Sequence, residues 1–166
     1  DVNFLGPFRM SKAVLPVMRK INGGRIVNVG SVAAWVPIPF QTLYSASKSA
    51  LSVLTEGLAM EAKPFGVTCA MVDPGDTKTE FTARRQRTVS SASVYAKRYE
   101  ASLARMEKDE QNGTPPEVVA KAVVRVALQK RMPTRKAVGF GYKVICVLAR
   151  ILPMRLKRAV IGKLYG

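Results

Sequence analysis

RIVNVGS, residues 25–31, is a run of aliphatic and β-branched residues that closes on a small hydroxyl side chain. An apolar run without polar alternation predicts a strand covered on both faces, the kind found in parallel α/β sheets. Downstream, GVTCAMVDPG (66–75) has the same character and breaks at Pro74-Gly75, which predicts a second strand. Helical segments surround the two strands. Residues 2–20 predict a helix with Val14, Leu15, Val17 and Met18 among its apolar positions, stopped by INGG (21–24), where glycine tolerates a left-handed cap. After the loop VAAWVPIPFQT (32–42), an Ala-, Ser- and Leu-rich helix runs from about Leu43 to Lys63. GTPPEVVAKAVVRVALQK (113–130) predicts another, with Thr114 to cap it and Pro115 or Pro116 in its first turn. KAVGFG (136–141) predicts a last short strand, and a basic, apolar, helix-like tail divided at Pro153 follows from 142. Helix and strand alternate as in half of a doubly wound α/β sheet.

Composition narrows the function. The 166 residues suffice for one domain with a core, and a 48% hydrophobic content fits a globular chain. A formal charge of +16 favours polyanionic partners such as anionic membrane, nucleic acid or phosphorylated cofactors. No zinc finger, aromatic RNA-binding motif or basic zipper accompanies that charge, so specific nucleic-acid binding is not expected. The chain has no histidine, which excludes Ser-His-Asp and Cys-His mechanisms within it. Its two cysteines, Cys69 and Cys146, sit in apolar runs and read as buried free thiols of a reducing cytoplasm. Neither has metal-ligand spacing, so no metal is expected. No run of about 18 uncharged apolar residues predicts a membrane span.

Tyr44 and Lys48, in LYSASKSAL (43–51), stand one helical turn apart. A phenol ionises near pH 10, and an ammonium on the same helix face stabilises the phenolate, making tyrosine a usable acid or base. That spacing alone arises often by chance. Ser31, however, ends the first strand at the carboxyl edge of the sheet, where open α/β sheets bind ligands. The second strand ends there too, in DPGDTKT (73–79), where Gly75 lets backbone approach a ligand and Thr79 offers a hydroxyl.

Taken together, VN at 2–3, GGRIVNVGS at 23–31, YSASK at 44–48 and PGDTKT at 74–79 resemble the short-chain dehydrogenase/reductase family, in its order and with its spacings. The resemblance implies an NAD(P)-dependent carbonyl reductase or alcohol dehydrogenase on the carboxyl-terminal part of a doubly wound, Rossmann-type parallel sheet. It implies that Tyr44 exchanges the proton with the substrate oxygen, Lys48 tunes Tyr44 and holds the nicotinamide ribose, and Ser31 binds the substrate oxygen. Asn3 would sit on a helix and hold a water that relays protons to the lysine. Pro74, Gly75, the backbone at Thr77 and the Thr79 hydroxyl would meet the nicotinamide, with Thr77 replacing the aliphatic residue common there. Singly, each has a plainer reading: Asn3 and Thr79 as caps, Ser31 as a strand end, Pro74-Gly75 as a turn.

The family's glycine-rich cofactor turn and the residue that selects NAD or NADP have no counterpart here, and GFGYKV (139–144) is no substitute because it follows the last strand. The opening DVNFLGPFRM reads as the middle of a protein, so residues 1–141 are expected to be the catalytic half of the dinucleotide-binding domain. Within it, 77–112 would form a substrate lid with Phe81, Val94, Tyr95, Tyr99, Leu103 and Met106 as apolar contacts, and WVPIPF (35–40) could line the same pocket. Such a lid suits a lipid-like carbonyl or alcohol. Residues 142–166 form a basic amphipathic extension able to lie peripherally on a membrane, or to cover the lid or a partner subunit. The helices carrying Asn3 and Tyr44 are those through which the family usually dimerises. A reading of another class is a non-catalytic fragment serving as a membrane-associated or subunit-binding module. The enzyme reading expects an upstream frame encoding a glycine-rich strand–turn–helix; a start codon just before Asp1 would favour the fragment. On the enzyme reading, the isolated 166-residue chain should bind NADH and NADPH weakly and turn over little; saturable binding in a fluorescence titration would contradict this.

Overall fold

The computed structural model describes residues 1–165. Three strands form one all-parallel sheet, in the order β1 (Gly24–Val29), β2 (Val67–Asp73), β3 (Arg135–Ala137). Gly24 pairs with Val67 and Val29 with Val72, while Met71 pairs with Arg135 and Asp73 with Ala137, so all three strands end at the same edge. The helices are α1 (Leu5–Lys20), α2 (Thr42–Glu61), α3 (Ala96–Gln111), α4 (Pro116–Leu128), α5 (Phe140–Ile151) and α6 (Met154–Tyr165).

Central β2 is buried along its whole length except at Thr68, as an apolar run without alternation requires. On one face Ile26, Val67 and Cys69 pack with Ala62 and with Val14, Leu15, Met18 and Leu58 of α1 and α2. On the other, Ala70 and Val72 pack with Val126 and Val138, backed by Val119 and Val123 of α4. β1 is covered on both faces as expected, Ile26 packing within the first cluster and Val27 against the second. Among the described residues it pairs only with β2, and Val29 is exposed. One polar link fixes β1 against α2: buried Asn28 donates from Nδ2 to Thr55 Oγ1 at 2.9 Å, and Thr55 in turn donates to the Leu51 carbonyl.

Boundaries differ in instructive ways. α1 starts at Leu5, because a turn with Gly6 N donating to Asp1 O closes residues 1–4 first, so Asn3 is not on a helix. Asn22, not a glycine of INGG, takes the left-handed conformation after α1 (φ 50°), a role asparagine fills more readily than other side-chain-bearing residues. Pro116 opens α4, preceded by Pro115 instead of a Thr114 cap. The tail is helical and divided at Pro153, but α5 begins at Phe140, inside the segment expected to be strand. Cys69 and Cys146 are both free and buried.

At the end of β2 a charge is buried completely. Asp73 Oδ2 accepts from Trp35 Nε1 at 2.9 Å and from Arg135 Nε at 2.5 Å, and the Arg135 guanidinium lies 3.7 Å from the Trp35 ring centroid. Attraction between buried ions offsets their desolvation only while both partners are present. Arg135→Met should therefore destabilise the fold by about 3–5 kcal/mol in urea unfolding, with part of the loss regained when Asp73→Asn is added.

Candidate active site

The carboxyl edge of the sheet opens on a cavity of about 810 Å³. Ser31, Tyr44, Lys48, Pro74, Gly75, Thr77 and Thr79 all line it, brought together from three separate segments. Ser31 leaves β1 in extended conformation and caps the 3-10 turn Val32–Ala34, its Oγ accepting from Ala33 N at 3.1 Å. The Pro74 carbonyl accepts from Val32 N at 2.9 Å, which holds the two strand ends side by side. α2 then carries Tyr44 and Lys48 past this edge on one face. Lys48 Nζ donates to the Val29 carbonyl at 3.0 Å and lies 5.9 Å from the Tyr44 ring centroid.

Electrostatics in this arrangement differ from the expectation that Lys48 lowers the Tyr44 pKa. Burial raises the Tyr44 phenol above its usual range; a hydrogen bond with Ser31 opposes the rise, and the Glu110 and Asp76 carboxylates add to it. Burial likewise lowers the Lys48 ammonium, with the Asp73 charge acting in the other direction. For both groups desolvation is the largest influence on the proton equilibrium.

Asn3 stands apart. It lies in the turn before α1 and is not among the residues lining the cavity. Of the apolar lid residues only Phe81 reaches the cavity, 6.1 Å from Tyr44 between ring centroids. Tyr99, Leu103 and Met106 are buried in the packing of α3, Tyr99 edge-on to Phe40, whereas Val94 and Tyr95 are exposed. A buried clasp holds this segment down: Glu110 of α3 accepts from both Arg85 and Thr82. Val36 and Ile38 of WVPIPF do line the cavity.

The largest apolar wall was not foreseen in detail. Val119 and Val123 of α4, Leu148 of α5 with Leu152 just after it, and Val160 and Leu164 of α6 all face the cavity. Tyr142, from the GFGYKV segment, closes on the turn after β2. Its hydroxyl donates to Asp76 Oδ2 at 2.8 Å and accepts from Asp76 N at 3.0 Å, and its ring lies where any side chain at position 75 would stand. Gly75 is thus required by close packing. The signal in the sequence was a tyrosine one turn into an apolar helix, too common a pattern to single out.

The nicotinamide-side residues fit the cofactor that the resemblance implies. Lys48 and Tyr44 present an ammonium and a phenol to the same cavity as the Thr79 hydroxyl. The bridge between Thr77 and Thr114 uses Asp76 O and Lys78 N, so the N–H and C=O of Thr77 itself are not consumed by it. Among the described residues no glycine-rich strand–turn–helix exists to hold a pyrophosphate.

Comparison with known proteins agrees with this geometry. A family model described as "short chain dehydrogenase" matches residues 1–90. The chain is 39% identical over 141 residues to 3-ketodihydrosphingosine reductase of Bacteroides thetaiotaomicron, covering 84% of this chain and 52% of that protein. Among solved structures, a short-chain dehydrogenase from Streptomyces avermitilis superposes with a TM-score of 0.73 at 27% identity, over 96% of this chain and 57% of the other. The structure titled "ElxO with NADP Bound" follows with a TM-score of 0.65 at 26% identity, over 86% and 55%. The chain belongs to the short-chain dehydrogenase/reductase family, and it spans about half the length of the relatives it matches.

Burial and the hydrogen bond to Asp76 push the Tyr142 phenol up to about 12. A phenol raised on folding contributes stability that is present below its unfolded pKa near 10 and is lost as pH rises through the folded value. Thermal unfolding followed across pH 9 to about 12.5 should show a steeper alkaline loss in the unaltered protein than in Tyr142→Phe.

Proposed function

We propose that this chain is the catalytic half of an NAD- or NADP-dependent oxidoreductase acting on an apolar, lipid-like carbonyl or alcohol. One observation carries the reading: Ser31, Tyr44 and Lys48 line one cavity whose remaining walls are mostly aliphatic. A bound nicotinamide dinucleotide supplies or accepts the hydride. Everything else falls to the residues in place. Ser31 donates a hydrogen bond to the substrate oxygen and positions it beside Tyr44. In reduction, Tyr44 gives its phenolic proton to that oxygen as negative charge develops on it; in oxidation it takes the proton back. Lys48, 5.9 Å from the Tyr44 ring centroid, opposes the negative charge left on the phenolate as the proton leaves. Phe81 and the Arg85–Glu110 clasp above it restrict water at the reacting carbon.

Two relatives support the details. The name of the Bacteroides relative specifies a keto-lipid substrate and its reduction, which matches the aliphatic walls contributed by α4, α5 and α6. The ElxO structure holds NADP. We extend the reading to a homo-oligomer formed through α1 and α2, whose outer faces carry exposed Met10, Val17 and Val53. Asn3 is proposed as a proton-relay residue on the resemblance alone.

The test uses the full-length protein with NADH and NADPH against ketones of increasing alkyl length. Activity should rise with chain length, and Tyr44→Phe should lower kcat by about 10²–10⁴-fold with little change in KM. Unchanged turnover in that variant would remove Tyr44 from the chemistry.

A further inference from the structure

Three features of the carboxyl-terminal helices converge on one side of the molecule. Phe140, Val144, Val147 and Ile151 of α5 are 82%, 43%, 58% and 69% exposed. At 100° per residue they fall within an arc of about 60°, a continuous outward stripe. Beside the stripe, between α2 and α5, lies a separate hollow of about 740 Å³ lined by Trp35, Lys63, Arg135, Lys143 and Arg150, with Glu56 as its one carboxylate. Val147 belongs to both the stripe and the hollow. On the stripe's other flank, Leu148, Val160 and Leu164 line the apolar cavity and are also about half exposed, so they form part of its mouth.

Charge selects the occupant of this face. No Asp or Glu occurs between residues 118 and 166, whereas twelve Lys and Arg do. Seating a second copy on the stripe would bring the Lys143 and Arg150 of two chains together with no acid on either helix to pair them, a like-charge juxtaposition that disfavours self-association. An anionic bilayer satisfies both parts of the pattern, since aliphatic side chains enter the acyl boundary while ammonium and guanidinium groups meet head-group phosphates.

We propose that the α5–α6 face docks on an anionic lipid surface. The stripe enters the interface, the hollow around Trp35 seats an acidic head group, and the cavity mouth opens against the leaflet. No helix in the described residues is long and apolar enough to cross a membrane. The proposal rests on the oxidoreductase reading only for what passes through the mouth; docking itself needs neither cofactor nor turnover. An apolar substrate would then enter from the leaflet without crossing water.

The experiment measures co-sedimentation of the protein with vesicles of phosphatidylcholine alone and of phosphatidylcholine with phosphatidylglycerol, together with emission from Trp35, the single tryptophan. Binding should be at least tenfold tighter to the anionic vesicles and should weaken as salt rises from about 0.05 to 0.5 M. The double variant Lys143→Glu, Arg150→Glu should bind at least about 25-fold more weakly, since each basic residue near the surface is worth about fivefold. Far-UV circular dichroism checks that the variant is folded; the salt titration of the unaltered protein gives the same reading without any substitution. Equal binding to both vesicles, or none, overturns the proposal. So does a Trp35 response to glycerol 3-phosphate that matches the response to anionic vesicles, which would make the hollow a site for a free phosphate. A dimer dispersed by Val147→Asp, in protein that ignores vesicles, would assign the face to a second copy instead. Each of these results leaves the Tyr44 chemistry as it stands, because none depends on turnover.

Discussion

The buried Asp73 carboxylate, held by Trp35 and Arg135, is the constraint on which the site depends. A charge at the end of a central strand is costly unless its partners come to it. Here they come from two directions, Trp35 from the loop after β1 and Arg135 from the start of β3. Gly30 has no side chain because the Asp73 carboxyl and Met71 fill the space where one would stand. The chain after β1 is therefore pulled across the end of β2, and the bond from Val32 N to Pro74 O follows from that proximity. Ser31 and Pro74 face one cavity because Gly30 N donates to the Val72 carbonyl and Val32 N to that of Pro74, which ties the two strand ends together. The site's precision originates one layer beneath the residues that face the cavity.

Much of the fold was legible because burial leaves a direct mark on sequence. VTCAMV is apolar at nearly every position, and such a run has a stable place only where both faces are covered. The end of α1 was harder to read. Asn and Gly both tolerate left-handed backbone, so INGG says that the helix stops without saying which residue turns. RIVNVGS resembles the central strand in composition yet, among the described residues, pairs on one side only, since strand position depends on what else pairs, which a local pattern does not contain.

The candidate site divides along similar lines. Ser31, Tyr44, Lys48 and the Pro74-Gly75 turn were readable as a set, since their spacing matches strand ends and one helix turn. The apolar wall from α5 and α6 was not, because aliphatic residues in a basic tail carry no indication of which neighbour they cover. Tyr99, Leu103 and Met106 show the converse error. Their apolar character fits a substrate lid as well as plain helix packing, and packing claimed them. The Tyr44 pKa is a third case: a sequence shows that Lys48 is near, while only the structure shows how much water both groups have lost.

Tyr142 joins two parts of the site. Its ring rests on Gly75 and its hydroxyl is bonded twice to Asp76, so the helix that walls the substrate cavity is fastened to the turn assigned to the nicotinamide. A change in the shape of that wall would loosen the fastening as well. The outline of the cavity and the position of the turn after β2 are therefore coupled through one aromatic hydroxyl in the first turn of α5.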